Sequence, residues 1–104
     1  MRRAWILLTL CLFLFGMGGA EAASRDAIKR NNFGAELLNQ GKLEDAVEEF
    51  RQAVAADPGY AVAQMNLGYA YDQLGRVDEA IAAYKKANEL EPGNLTVLNN
   101  LGNV

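Results

Sequence analysis

Few side chains in this sequence could carry out nucleophilic chemistry. The chain of 104 residues contains no histidine, a single cysteine (Cys11) and a single serine (Ser24). A serine or cysteine nucleophile needs a neighbouring base, and histidine is the usual one. Cys11 lies within an apolar stretch near the N-terminus, so the rest of the chain has no thiol and cannot form a disulfide. We therefore predict that the protein is not an enzyme and needs no cofactor.

Carboxylates are plentiful, but their spacing does not predict a metal site. Glu44, Asp45, Glu48 and Glu49 are spaced as on the solvent-facing side of a helix, with no calcium-loop pattern around them. The whole chain has 13 acidic and 10 basic residues, a net charge of −3. Because nucleic-acid binding requires a basic surface, an acidic chain without a basic run is not expected to bind nucleic acid.

The polar residues with a regular spacing are asparagines. Asn32, Asn66 and Asn100 are separated by 34 residues each. An amide side chain offers both a hydrogen-bond donor and an acceptor, which suits a peptide bond. If the chain is built from repeated units, these three amides align in a column along one wall of the stack.

Small and apolar residues follow the same 34-residue period, which indicates an internal repeat. Gly34, Gly68 and Gly102 are equivalent, and between them apolar residues recur at helical spacing, so each unit is predicted to contain two helices. Gly34 and Gly68 would lie inside helices, where close approach of the paired helix would offset the cost of glycine. Further pairs at this spacing are Gly41 and Gly75, Ala46 and Ala80, Ala53 and Ala87, and Pro58 and Pro92.

Turn residues indicate where these helices end. We expect Gly75 to end one helix in a left-handed conformation and Asp78 to cap the next. The first unit has the same order, with Gly41 and then Glu44. Asn94 is expected to be an N-cap, although Asn94-Leu95-Thr96 also fits the glycosylation acceptor rule. The predicted helices cover residues 25–39, 43–56, 60–74, 77–90 and 94–104.

These units resemble the tetratricopeptide repeat (TPR) family. Residues 61–94 carry its signature almost entirely, whereas residues 27–60 have Arg30 where the family usually has an aromatic residue or leucine. The resemblance implies an all-α, right-handed solenoid of about two and a half helix-turn-helix repeats. Residues 23–26 would be a linker, and 95–104 a partial third repeat or capping helix. The matching residues of the second unit are Leu67-Gly68, Tyr71, Gly75, Asp78-Glu79-Ala80, Tyr84, Ala87 and Pro92.

The resemblance also implies a peptide-binding groove. In TPR proteins the first helices of the repeats line a concave surface, and asparagines at the position of Asn66 hold the backbone of an extended peptide. The alternative is that these asparagines only bond to the neighbouring helix. The basic carboxylate clamp of chaperone-binding members is not reproduced, so a partner recognised by its C-terminal carboxylate is not expected. The groove residues implied are Asn32, Asn66, Asn100, Met65, Tyr69 and Asp72, and the clamp positions are Asn31, Ala35, Asn66, Thr96 and Asn100, of which only Asn66 matches.

Residues 1–22 have the layout of a secretory signal peptide. Arg2 and Arg3 precede an uncharged apolar stretch, and small residues follow up to Ala22. The stretch from Ala4 to Phe15 is shorter than the roughly 20 residues that cross a bilayer. Cleavage after Ala22 is the preferred interpretation, and an uncleaved anchor over residues 4–20 is the alternative. Either one predicts export, to the periplasm or the medium.

Taken together, the sequence predicts an exported adaptor that binds a protein or peptide partner. It would contact a membrane only through an uncleaved N-terminal segment. One alternative is an assembly subunit that forms homo-oligomers through an exposed last helix. Another is a truncated accessory domain of a longer protein.

Overall fold

The computed structural model describes residues 23–104, and these residues form five α-helices without a strand. The fold is therefore all-α, as predicted, and each helix begins and ends within one residue of its expected bounds. The predicted signal peptide or anchor lies outside the described residues. None of the five helices is long and apolar enough to cross a bilayer. They are α1 (Arg25–Asn39), α2 (Leu43–Ala56), α3 (Ala61–Gln73), α4 (Val77–Leu90) and α5 (Leu95–Asn103).

Glycine turns end α1 and α3. Gly41 and Gly75 have φ angles of 77° and 78°, the left-handed conformation that the sequence predicted. The residue after each glycine donates its N–H back to a carbonyl five positions earlier, at 2.9 Å in both turns, which is the Schellman arrangement.

The N-caps predicted after these turns, at Glu44 and Asp78, are wrong. The N-cap of α4 is Arg76, which makes no side-chain capping bond, and Asp78 lies in the first turn. Lys42 and Glu44 have the same places in α2. The Schellman turn brings the chain back into a helix within two residues, so the acidic residues come too late to cap. They stabilise the helix N-terminus through its dipole instead.

Side chains cap α1 and α5. The Ser24 hydroxyl accepts a hydrogen bond from the Ala27 N–H at 3.0 Å, and the Asn94 side chain accepts from the backbone of Thr96 and Val97. The Ser24 N–H also donates to Asp57 at 3.0 Å, which ties the start of α1 to the turn after α2. The first helix begins at Arg25, so of the residues 23–26 expected to form a linker, Arg25 and Asp26 are helical.

The helices pack as a stack of hairpins around one continuous apolar core. α1 pairs with α2 and α3 with α4, while α2 packs on α3, α4 packs on α5, and α1 also contacts α3. Phe50 and Tyr84 are fully buried at equivalent places in the second helices. A Cβ added to Gly34 would lie 2.6 Å from the Phe50 ring, and one added to Gly68 would lie 2.7 Å from the Tyr84 ring. The predicted close approach at both glycines is confirmed.

Candidate functional site

A side-chain hydrogen bond joins the first helices of the two complete hairpins. The Asn66 amide of α3 donates to Asn31 Oδ1 of α1 over 2.9 Å. Asn31 is only 5% exposed, so it is held rigidly, whereas Asn66 is half-buried. Asn32, which the repeat aligns with Asn66, is exposed. Asn31 is one of the clamp positions, and the sequence predicts no groove contact for it.

Apolar side chains lie beside Asn66 on the exposed side of α3. Val62, Asn66 and Tyr69 are three or four residues apart, which places them on one side of the helix. Tyr69 is 43% exposed, a large fraction for an aromatic ring. Met65 is half-buried against the core and lines a narrow crevice that continues to Val97 of α5. α3 therefore presents a mixed apolar and amide surface between α1 and α5.

A buried hydroxyl lies beneath the other predicted site residues. Tyr84 extends from α4, and burial raises the pKa of its hydroxyl to about 12, with a further rise from the negative charge of Asp72 and a smaller one from Tyr69. Asn100 of α5 is close enough to lower this pKa, but the Tyr84 hydroxyl has no well-formed hydrogen bond among the described residues. Asp72 of α3 and Asn100 of α5 thus both influence the pKa of the buried Tyr84 hydroxyl.

The sequence analysis treated Tyr84 only as part of the apolar pattern. Its aligned partner Phe50 has no hydroxyl, and this difference between the repeats was the available signal. A tyrosine hydroxyl is neutral at physiological pH even at its ordinary pKa of about 10, and burial moves the pKa of Tyr84 further above that range.

The α3 and α5 parts of this surface carry little charge. Asp72 is the one charged side chain on α3, and α5 has none. Neither helix contains a lysine or arginine, so neither provides a positive charge for a peptide carboxylate. Within residues 23–104, no group of three His, Cys, Asp or Glu residues is arranged to hold a metal ion.

The family follows from a match over most of the described helices. A family model described as tetratricopeptide repeat matches residues 31–94, which contain most of the first hairpin and the whole of the second. The chain belongs to the tetratricopeptide repeat family. No curated protein matches this TPR chain.

Solved structures with the same fold include other TPR proteins. The sequence in the structure of MamA is 28% identical to this chain, and the two structures superpose with a TM-score of 0.73. The match covers 74% of this chain and 45% of the MamA chain. The second TPR of Spaghetti (RPAP3) bound to the HSP90 peptide SRMEEVD is 25% identical with a TM-score of 0.74, covering 76% of this chain and 73% of that one. The second TPR domain of human RPAP3 in complex with the HSP70 peptide SGPTIEEVD is 29% identical with a TM-score of 0.73, covering 75% and 65%.

The chain thus spans less than half of MamA and about two thirds of the human RPAP3 domain. Two of these TPR structures hold peptides that end in the same four residues, EEVD. These two TPR domains bind peptides, and their stacked helices have the same fold as the helices of this chain.

Proposed function

We propose that this TPR protein is an adaptor that binds an extended peptide segment of a partner along the surface formed by α1, α3 and α5. The hydrogen bond from Asn66 to Asn31 is the helix-to-helix bond that the alternative interpretation of these asparagines predicts, and it also holds the Asn66 amide in place between two first helices. The observation that carries the proposal is that this amide lies on the same side of α3 as the exposed side chains of Val62 and Tyr69. Asn66 Oδ1 accepts no hydrogen bond from the described residues. It is therefore free to accept a peptide N–H.

The neighbouring apolar side chains supply the other half of the binding surface. Val62 and Tyr69 are both exposed on the same side of α3 as Asn66. An exposed tyrosine provides apolar area with few rotatable bonds, so it loses little entropy when it contacts a ligand. Amides that hold the backbone, together with apolar anchors for side chains, are the combination that an extended peptide requires.

The charge of the surface determines which peptides fit. The peptides in the two RPAP3 structures end in acidic residues and a terminal carboxylate. In this chain α3 and α5 provide no positive charge for such groups, and Asp72 would repel them. We infer that the partner segment is internal and uncharged, or carries a basic residue opposite Asp72.

The place of action follows from residues 1–22. Their basic start, apolar stretch and small-residue end support export to the periplasm or the medium. If the segment is not removed, residues 4–20 would anchor the adaptor to the membrane. Mass spectrometry of the protein isolated from its native compartment should show Ala23 as the first residue. An intact Met1 would instead support the anchor.

A photo-crosslinking experiment tests the groove. A photo-reactive amino acid in place of Tyr69 should capture a defined partner peptide in the native compartment, identified by mass spectrometry. The same amino acid in place of Lys85, which is exposed on α4, is the control and should capture none of that peptide. Equal capture at both positions would contradict the groove assignment.

A double substitution tests the proposed contacts directly. Asn66→Ala combined with Tyr69→Ala should abolish capture of the partner, because it removes both the backbone contact and the apolar anchor. Circular dichroism should show the helical content of the unaltered protein, and Lys85→Ala should bind normally. Undiminished binding by the double variant would remove these residues from the site.

A further inference from the structure

One negative charge lies among uncharged positions of the α3 surface. The side of α3 that carries Val62, Asn66 and Tyr69 continues to Asp72, which is one turn beyond Tyr69. None of the residues 34 positions before or after these four is charged, so the matching sides of α1 and α5 add no charge. Asp72 therefore places a single negative charge at one defined point of the groove.

The Asp72 carboxylate has no ionic partner within residues 23–104. None of the ion pairs formed there includes it. Arg76 is four residues further along the chain, but its guanidinium bonds to Glu44 of α2 at 3.3 Å. Because Asp72 is half-buried, the carboxylate has lost part of its hydration without gaining an opposite charge. A cation supplied by a ligand would provide that charge.

The Tyr69 ring supplies a second contact for such a cation. It is 43% exposed, and it is three residues from Asp72, a spacing at which side chains on a helix are neighbours. The face of an aromatic ring attracts a cation, and a guanidinium group also stacks on it. The first repeat has Ala35 and Leu38 at the equivalent positions. The second repeat thus carries a pair of groups that the first repeat lacks.

We propose that Asp72 and Tyr69 bind an arginine side chain of the partner segment, and that the residues around this arginine are uncharged. This assignment rests on the proposed function, because it concerns the same surface, and it names the residue that the segment must carry. Arginine fits the pair better than lysine does, since its planar guanidinium donates two hydrogen bonds to one carboxylate and stacks on a ring. Acidic neighbours of the arginine would be repelled by Asp72 and would find no lysine or arginine on α3 or α5.

Bead-bound peptide libraries test the assignment without a known partner. Each library has one fixed central residue between randomised uncharged residues, and both termini are blocked. The central residue is arginine, lysine, glutamate or citrulline, which is the uncharged analogue of arginine. The labelled protein should bind the arginine library at least about tenfold more than the citrulline library, because a hydrogen bond between charged groups contributes that factor. The lysine library should lie between them. Equal binding of the arginine and citrulline libraries would overturn the proposal.

Substitutions of Asp72 test whether this carboxylate is the group that selects arginine. Asp72→Asn should bind the arginine and citrulline libraries equally, and Asp72→Lys should prefer the glutamate library to the arginine library. Asp78→Asn is the matched control, because Asp78 is an exposed aspartate in the first turn of α4, and it should keep the preference of the unaltered protein. Circular dichroism should show the same helical content in all variants. A preference for arginine that survives Asp72→Asn would overturn the proposal.

Substitutions of Tyr69 test the contact with the ring. Tyr69→Leu keeps an apolar side chain without an aromatic face, so the ratio of arginine to citrulline binding should fall by about two- to fivefold. Tyr69→Phe keeps the aromatic face and should lower this ratio less. The same ratio in the leucine variant and the unaltered protein would contradict a contact between Tyr69 and the arginine.

The libraries also distinguish failure of this assignment from failure of the proposed function. Equal binding of arginine and citrulline by the unaltered protein, abolished by Asn66→Ala with Tyr69→Ala, would overturn only the arginine contact and leave the groove in place. Binding of every library that persists in this double variant would contradict the groove itself. The absence of binding to any library would overturn both.

Discussion

At the scale of single residues, the repeat places glycines where aromatic rings must fit. Gly34 and Gly68 are buried in the middle of helices, and the rings of Phe50 and Tyr84 occupy the space that a side chain would need. The distances of 2.6 Å and 2.7 Å leave no room for a methyl group without movement of a fully buried ring. Helix propensity alone would favour alanine at both positions, so tertiary packing decides these residues.

Alanine substitutions at the glycines should therefore have opposite signs. Gly34→Ala and Gly68→Ala should each lower the free energy of unfolding, because overpacking costs roughly 1–3 kcal/mol and exceeds the gain of up to about 1 kcal/mol in helix propensity. Gly102→Ala is the matched control and should raise it by about 0.5 kcal/mol, since no side chain opposes it. Urea denaturation at low protein concentration measures all three. A stabilised Gly34→Ala would contradict the packing described.

The buried hydroxyl of Tyr84 predicts a loss of stability in alkaline solution. Its pKa is raised to about 12 in the folded chain, against about 10 in the unfolded one, so the unfolded state releases the proton first as pH rises. The contribution is complete below pH 10 and is lost between pH 10 and 12. It amounts to about 2–3 kcal/mol by the linkage relation.

The substitution Tyr84→Phe separates this effect from the titration of other tyrosines, including Tyr71, whose pKa is also raised by burial. The variant should lose part of the alkaline slope in the free energy of unfolding. At pH 7 it should be about 1 kcal/mol more stable, because a buried hydroxyl without a partner is removed. Tyr60→Phe, at a half-buried position in the turn after α2, is the control. An identical slope in the two variants would argue against a buried Tyr84 hydroxyl.

At the scale of the elements, α5 depends on its cap more than the other helices do. It has nine residues, fewer than an isolated helix needs in water, and it packs on a single neighbouring hairpin. The Asn94 side chain satisfies the N–H groups of Thr96 and Val97 at 3.0 Å and 3.3 Å. These capping hydrogen bonds are among the few contacts that stabilise α5.

Removal of the cap should loosen α5 locally. Asn94→Ala should cost about 1 kcal/mol and speed amide hydrogen exchange across α5 while leaving α1 to α3 unchanged. Asn99→Ala, an exposed asparagine in the middle of the same helix, should have a much smaller effect. If both variants exchange at the same rate, the capping bond contributes nothing measurable.

At the scale of the whole molecule, the distribution of charge limits which peptides this chain can bind. The chain has a net charge of −3, and α3 and α5 carry no lysine or arginine. A peptide such as SRMEEVD, which one of those domains holds, brings further negative charge to this surface. Similarity of fold does not transfer the choice of peptide, because specificity depends on the groove side chains.

Fluorescence anisotropy with labelled SRMEEVD tests this distinction. The unaltered chain should show no saturable binding, whereas Thr96→Lys combined with Asn100→Arg should bind at least about tenfold more tightly at low salt, through two added charge contacts. The same peptide with an amidated C-terminus should lose most of that gain. Tight binding by the unaltered chain would refute the inferred preference for internal segments without acidic residues.

The local chemistry of the sequence was sufficient to predict the helices, their order and the family. Apolar spacing and glycine turns act over a few residues, so the helix bounds and the glycine–aromatic contacts could be predicted without coordinates. The caps at Asp78 and Glu44 were predicted wrongly because the Schellman turn shortens the loop. The role of Asn32, Asn66 and Asn100 in peptide binding stays a prediction.

Only the tertiary structure decided which amides meet across the helices. Neighbouring residues on a helix differ in direction by about 100°, so the packing of α1 against α3 determines that Asn31 rather than Asn32 is the partner of Asn66. The environment of the buried Tyr84 hydroxyl likewise depends on three helices, since burial and Asp72 of α3 raise its pKa and Asn100 of α5 lowers it. Those angles arise from packing between residues distant in sequence, which a repeat period does not encode.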